Sequence, residues 1–398
     1  MDNPEKEMML AQPITIGPVT LPNRIVKASM VENMASEQGE VTDRLIRFYE
    51  RQAKGGAGLH ITGGAYVQRS GRSVRYLIGA YDDRLIPGLR RLTETVHGLG
   101  SRIVLQIYHC GRQTQPELVD GDVLGPSPVR DIMTGVTPRA MTHDEIEETI
   151  QAFADATRRA REAGFDGVEV MSAHGYLINQ FLSGRTNRRS DQWGGPIENR
   201  ARFLFRIVEQ AKAQLSDRMM LLVKLNSEDR VRKGFTVDES AWVAERLPDH
   251  GVDAIKLSGG TFESGLSISR GDIPAKEILE EFSGCQRLKI RIIIRLMRRR
   301  FRFSEAYFLD NAKRIKPHVR VPIILVGGLR TPAVMEKILR EGYADLIAIG
   351  RPLIRDPELP RKILSGETDP NTCINCNRCF IRIAQEKPLL CYARELGE

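Results

Sequence analysis

Apolar residues along this chain fall into short runs separated by longer amphipathic stretches. The runs are RIVKAS (24–29), GLHITG (58–63), RIVLQIY (102–108), GVEVMSA (167–173), LLVKLN (221–226), AIKLSGG (254–260), PIILVGG (322–328) and LIAIGRP (346–352). They have strand length and β-branched content, and they read as near-continuous apolar segments, the pattern of strands covered on both faces. Between them, DRLIRFYERQAKGG (43–56), RLIPGLRRLTETVHGLG (84–100), THDEIEETIQAFADATRRAREAG (142–164) and TPAVMEKILREG (331–342) carry apolar residues at helical spacing. Thr142, followed three residues later by Glu145, permits a capping box at the start of the third helix. Eight strands alternating with helices predict a (β/α)8 TIM barrel. No GxGxxG follows the first strand, which argues against a doubly wound dinucleotide-binding sheet.

In such a barrel the chemistry lies at the C-terminal strand ends. Those ends carry Ser29 and Met30, Gly63, Gln106, His174 and Tyr176, Lys224, Gly259 and Gly260, Gly327 and Gly328, and Gly350 and Arg351. The glycines after strands seven and eight let backbone amides approach an anion, the following helix N-terminus favours negative charge, and Arg351 adds a fork of donors. A phosphorylated cofactor is expected there; tight turns are the plainer alternative for either glycine pair alone. The stretch GVEVMSAHGYLINQFLS (167–183) sets two titratable side chains, His174 and Tyr176, directly after a buried strand.

Length and composition fit this architecture: 398 residues with 41% hydrophobic and 6% aromatic content suffice for one large α/β domain or two ordinary ones. No run approaches the roughly 20 apolar residues of a membrane span, and the N-terminus lacks a basic region followed by an apolar run, so a cytoplasmic location is expected. The net charge of +8 is local, because segment 283–302, SGCQRLKIRIIIRLMRRRFR, holds eight Arg or Lys and no acid. That segment is read as a solvated insertion after strand six, with peripheral membrane or nucleic-acid association as the alternative. Four of six cysteines, Cys373, Cys376, Cys379 and Cys391, cluster near the C-terminus as CxxCxxCx11C. In a reducing compartment this pattern suits a [4Fe–4S] cluster, with zinc or an unmetallated tail as alternatives.

NRIVKASM, GGAGLHITG, YDDRLIPGLRRLTETVHGLGSRIVLQIYHCGRQ, HGYLINQFLSGRTNRRSDQWGGPIENRARF, ILVGG and IAIGRPLI together resemble the old yellow enzyme family of FMN-dependent ene-reductases. The tail DPNTCINCNRCF resembles the branch containing bacterial 2,4-dienoyl-CoA reductase and trimethylamine dehydrogenase. The resemblance implies an FMN-binding barrel over residues 1–365 and a Cys-rich extension over 366–398. It implies that Ala28, Ser29 and Met30 line the flavin ring, that Gly63 lies near it, that Gln106 bonds its pyrimidine edge, and that Lys224 supplies the cation beside N1 and the C2 carbonyl. It further implies that Gly327, Gly328, Gly350 and Arg351 lie at the phosphate, that Tyr176 is the proton donor and that His174 holds the substrate carbonyl.

The expected reaction is reduction of the C=C bond of an enone, enoate or enoyl thioester, with NADH or NADPH as reductant. The alternative is a cluster-linked dehydrogenase of the trimethylamine dehydrogenase type. A separate electron-donating reductase and a homo-oligomer are the partners considered. One departure from the family stands out: Met171 replaces a second histidine, and no histidine occurs between Ile255 and Lys289. Arg270 is the candidate to complete the carbonyl clamp.

Overall fold

The computed structural model describes residues 8–280, 282–367 and 369–393. Eight strands form the barrel: β1 (Ile25–Lys27), β2 (Leu59–Tyr66), β3 (Arg102–Tyr108), β4 (Gly167–Ser172), β5 (Met220–Asn226), β6 (Ala254–Ser258), β7 (Ile323–Val326) and β8 (Leu346–Ile349). They close in sequence order, β8 pairing with β1, and every neighbouring pair is parallel. All eight expected strands are present.

Their apolar continuity follows from position. Side chains pointing outward meet the helices, and those pointing inward fill the barrel, so neither face reaches water. The helical stretches form as Asp43–Lys54, Ile86–His97, His143–Glu162 and Pro332–Arg340, and the Thr142–Glu145 capping box is made in both directions.

The N-terminal hairpin, Ile14–Ile16 paired with Val19–Leu21, was not anticipated from the sequence. Its Ile16, Val19 and Leu21 pack against Val26, Leu59, Ile61, Val104, Met220 and Leu222, closing the end of the barrel away from the C-terminal strand ends. Polar groups are thereby concentrated at the opposite end.

Segment 283–302 is mostly one helix, Gly284–Arg300, in the crossover between β6 and β7. It is more than a solvated insertion. Ile290, Ile294, Met297 and Phe301 pack on Ile273, Ile278 and Leu279, because those four positions recur on one side of a helix. No described helix is long and apolar enough to cross a membrane.

Candidate active site

Five strands deliver a polar cluster to the upper barrel interior. Ser29, just past β1, is its centre: its hydroxyl oxygen lies 2.9 Å from Gln106 Nε2 (β3), 3.0 Å from Lys256 Nζ (β6) and 3.5 Å from Lys224 Nζ (β5). Gln106 Nε2 also donates to Glu169 Oε1 (β4) at 2.5 Å, and Lys256 pairs with the same carboxylate at 2.7 Å. Glu169 and Lys256 are fully buried. Parallel pairing sets this geometry, since Gln106 stands opposite Glu169 and Lys224 opposite Lys256 in the register.

The two lysines differ in their partners. Glu169 compensates Lys256, whereas Lys224 makes no ion pair among the described residues and has only the long Ser29 contact. Burial first, and the nearby Lys256 charge second, bring the Lys224 ammonium down to about 7. A buried ammonium that makes no direct ion pair, with Glu169 offsetting it only in part, fits an electron-rich partner, and the pyrimidine edge of a flavin has that chemistry. The donors Gln106 and Lys224 therefore fit the cofactor implied by the sequence.

A second network fixes the rim. Glu32 accepts from Gly63 N at 2.7 Å and from the Tyr49 hydroxyl, while Lys27 Nζ donates to Tyr49 at 3.2 Å and to the Ile61 carbonyl at 3.1 Å. A Cβ on Gly63 would stand 2.6 Å from the Met30 carbonyl, and one on Gly350 would meet Met30 Sδ at 3.4 Å. Ala28, Ser29, Met30, Gly63 and Gly350 are thus brought together at one side of the mouth.

His174 and Tyr176 follow β4. His174 takes a left-handed backbone at φ 62°, which turns the chain inward, and its Nε2 lies 2.7 Å from Ser258 Oγ. Burial, with Lys224 and Lys256 nearby, holds its imidazole well below the usual range, so it is neutral. Tyr176 is half-buried, with its ring edge-on to Tyr108 at 5.1 Å and Phe262 at 5.8 Å. Burial raises its phenol and Ser73 opposes that shift by hydrogen bonding, so the hydroxyl keeps its proton near neutral pH.

Three expectations change. Gly327 and Gly328 have φ of 131° and 71°, and the side a Cβ would occupy is filled by the rings of Phe308 and Tyr307. Backbone conformation and aromatic packing account for glycine at these two positions, whatever their amides hold. The N-terminus of the following helix is engaged as well, because Glu305 accepts from the Arg330 and Thr331 amides at 2.9 and 2.7 Å. Arg351 reaches Asn377 Oδ1 at 2.5 Å and the Arg270 carbonyl at 2.8 Å. Arg270 does not complete a carbonyl clamp: its guanidinium donates to Ser304 Oγ and the Arg300 carbonyl, both at 3.3 Å.

Lys27, Glu32, Tyr49, Glu169 and Lys256 escaped the sequence reading. A visible signal existed for three of them, since RIVKAS, GVEVMSA and AIKLSGG each place a charge inside an apolar strand.

The four tail cysteines line one cavity with Arg351, Arg355 and Asn375. Asn377 anchors this loop, donating to the Ser269 and Asp272 carbonyls at 2.9 and 3.1 Å. The tail also reaches the barrel rim, where Leu389 N donates to the Glu32 carbonyl at 2.8 Å. Among the described residues no three His, Cys, Asp or Glu side chains converge as a metal-ligand group.

The fold is a parallel eight-stranded barrel with a lysine, an amide and a tyrosine–histidine pair near its C-terminal strand ends, and its likeness to known proteins gives the class, a flavin oxidoreductase. The chain belongs to the NADH:flavin oxidoreductase / NADH oxidase family, whose model matches residues 9–263 and 273–369. It is 38% identical over 381 residues to an NADH oxidase of Thermoanaerobacter brockii, covering 94% of this chain and 54% of that one. It is 35% identical over 355 residues to an NADPH dehydrogenase of a Geobacillus species, covering 89% of this chain and 93% of that one. Among solved structures, a 2-naphthoyl-CoA reductase complex superposes with a TM-score of 0.84 at 30% identity, covering 96% of this chain and 56% of that one. The chain thus spans about half the length of the T. brockii relative. The family implies FMN and a nicotinamide reductant.

Proposed function

We propose that the chain is an ene-reductase, reducing the C=C bond of α,β-unsaturated carbonyl compounds. The observation that carries this reading is the placement of His174 and Tyr176 directly after β4 beside Lys224 on the neighbouring β5, the imidazole lying within reach of the Lys224 charge. FMN, when bound, would supply the hydride for the substrate β-carbon. Lys224 and Gln106 hold the cofactor's electron-rich edge, the lysine offsetting negative charge. Tyr176 transfers its hydroxyl proton to the α-carbon. His174, with Nε2 held by Ser258, keeps Nδ1 for the carbonyl oxygen, where charge builds during transfer. Substrate enones, enoates and enoyl thioesters share that carbonyl, and the resemblance of the fold to a 2-naphthoyl-CoA reductase supports a thioester.

The cysteine pocket extends the proposal. Four thiols around one cavity have the donor set of a cubane iron–sulfur cluster, which would carry electrons between FMN and a separate reductase or domain.

Stopped-flow half-reactions test the assignment. In Tyr176→Phe, anaerobic bleaching of the flavin by NADH or NADPH should stay near the wild-type rate, while reoxidation by 2-cyclohexenone should slow by about 10²–10⁴-fold, the usual loss for a general acid. Equal slowing of both halves would make Tyr176 a positioning residue and remove the proposed proton transfer.

A further inference from the structure

Helix Gly284–Arg300 buries one side and leaves the other with an unusual composition. Leu288, Ile292, Ile293 and Leu296 are 62%, 55%, 47% and 72% exposed, half of the eight large exposed hydrophobic residues described in the chain. With about 100° of turn per residue, Leu288, Ile292 and Leu296 form one ridge opposite the packed residues Ile290, Ile294 and Met297. Arg291, Arg295 and Arg298 flank one edge of that ridge, and Lys289 and Arg300 flank the other. Of the eight cations in 283–302, only Arg298 makes an ion pair among the described residues, with Asp272 at 3.2 Å.

We propose that this ridge docks the protein on an anionic lipid bilayer, a role beyond the reaction assigned above. An apolar crest between two rows of cations suits the interface, where aliphatic groups enter the acyl boundary while basic groups meet lipid phosphates. The shape agrees, because a convex ridge needs a deformable partner and not a matching groove. A second copy of the chain fits less well: a twofold contact would set arginines against arginines, with no acid in the segment to pair them. A nucleic acid would neutralise the cations but leave the leucine and isoleucine crest in water. The anchored face, through Ile294 and Phe301, holds the ridge on residues 273–279 of the same crossover.

Co-sedimentation of the FMN-loaded protein with vesicles tests this. Binding is expected with phosphatidylcholine vesicles containing phosphatidylglycerol, weakening as salt rises, and not with phosphatidylcholine alone. Both Leu288→Ser/Ile292→Ser/Leu296→Ser and Arg291→Gln/Arg295→Gln should reduce vesicle affinity by about tenfold or more. These residues lie outside the active site, so flavin absorbance and the thermal midpoint report that each variant is folded. Absence of wild-type binding to anionic vesicles at low salt overturns the proposal. Full binding by the triple serine variant also overturns it, leaving plain attraction between polyions. A sedimentation-velocity dimer that the serine variant dissociates, without vesicle binding, assigns the ridge to a second copy instead.

Discussion

The barrel floor and the cysteine loop both collect side chains that lie far apart in sequence, but they hold them differently. On the floor, Ser29, Gln106, Glu169, Lys224 and Lys256 project from paired strands or the residue just beyond, and ladder register fixes their spacing. Most of their polar atoms meet one another. In the tail, Cys373 and Cys376 sit on a loop, Cys379 on a short helix and Cys391 in a terminal turn, and Asn377 and Arg351 provide the anchors. Folding alone assembles the first site. The second has a cavity and donors, and a bound metal would do the rest of its organising.

The largest effect should come from breaking the tail alone. Cys376→Ser should abolish the iron, about four per chain where a cubane is present, and leave FMN content unchanged, as iron, acid-labile sulfide and flavin assays on anaerobic protein would show. Stoichiometric zinc would replace the cubane but keep the contrast, whereas wild-type protein with no bound metal, or parallel loss of FMN and metal, would end the contrast between a self-assembled floor and a metal-organised tail.

On the floor, Glu169→Gln leaves Lys256 buried without its counter-charge and should cost about 3–5 kcal/mol in chemical unfolding. The double variant Glu169→Leu/Lys256→Met should recover much of that stability, since an apolar pair of similar size often replaces a buried ion pair without loss. Its FMN affinity should remain weakened, because Ser29 and Gln106 lose the partners that orient them. Recovery of both properties would mean that the ion pair plays no part in arranging the cofactor edge.

The smallest effect is a pH slope. Lys224 binds its proton with a pKa of about 7 in the fold against 10.5 in the unfolded chain. Between those values the unfolded chain holds the additional proton, so apoprotein stability rises with pH, by at most about 1.4 kcal/mol per unit from this group. Denaturant midpoints at several pH values should show a shallower rise in Lys224→Met than in wild type. Identical profiles would show that Lys224 is not held against its charge.

Much of the barrel was legible because burial on both faces leaves a direct imprint: strands become apolar runs, and the Thr142–Glu145 cap marks a helix start. Lys224 and Gln106 were legible as polar residues near strand ends. The N-terminal hairpin was not, since strands of three residues carry too little pattern to stand out. The side-chain partners of Arg351 and Arg270 were not legible for another reason: a long side chain at a known backbone position has several partners within reach, and here Asn377, Ser304 and backbone carbonyls engage them.

By itself the sequence determined the number and order of the barrel strands, the strand ends that face the mouth, and the set of four thiols, because each of these is written in local pattern. Tertiary structure decided which charges meet. Barrel closure brings Lys256 of β6 to Glu169 of β4 across the interior and leaves Lys224 without a direct ion pair, and the β6–β7 crossover brings Tyr307 and Phe308 against Gly328 and Gly327. Periodicity records how far each residue is buried. Which residue it is buried against depends on strand pairing and on side-chain reach, and both are settled only when the barrel closes.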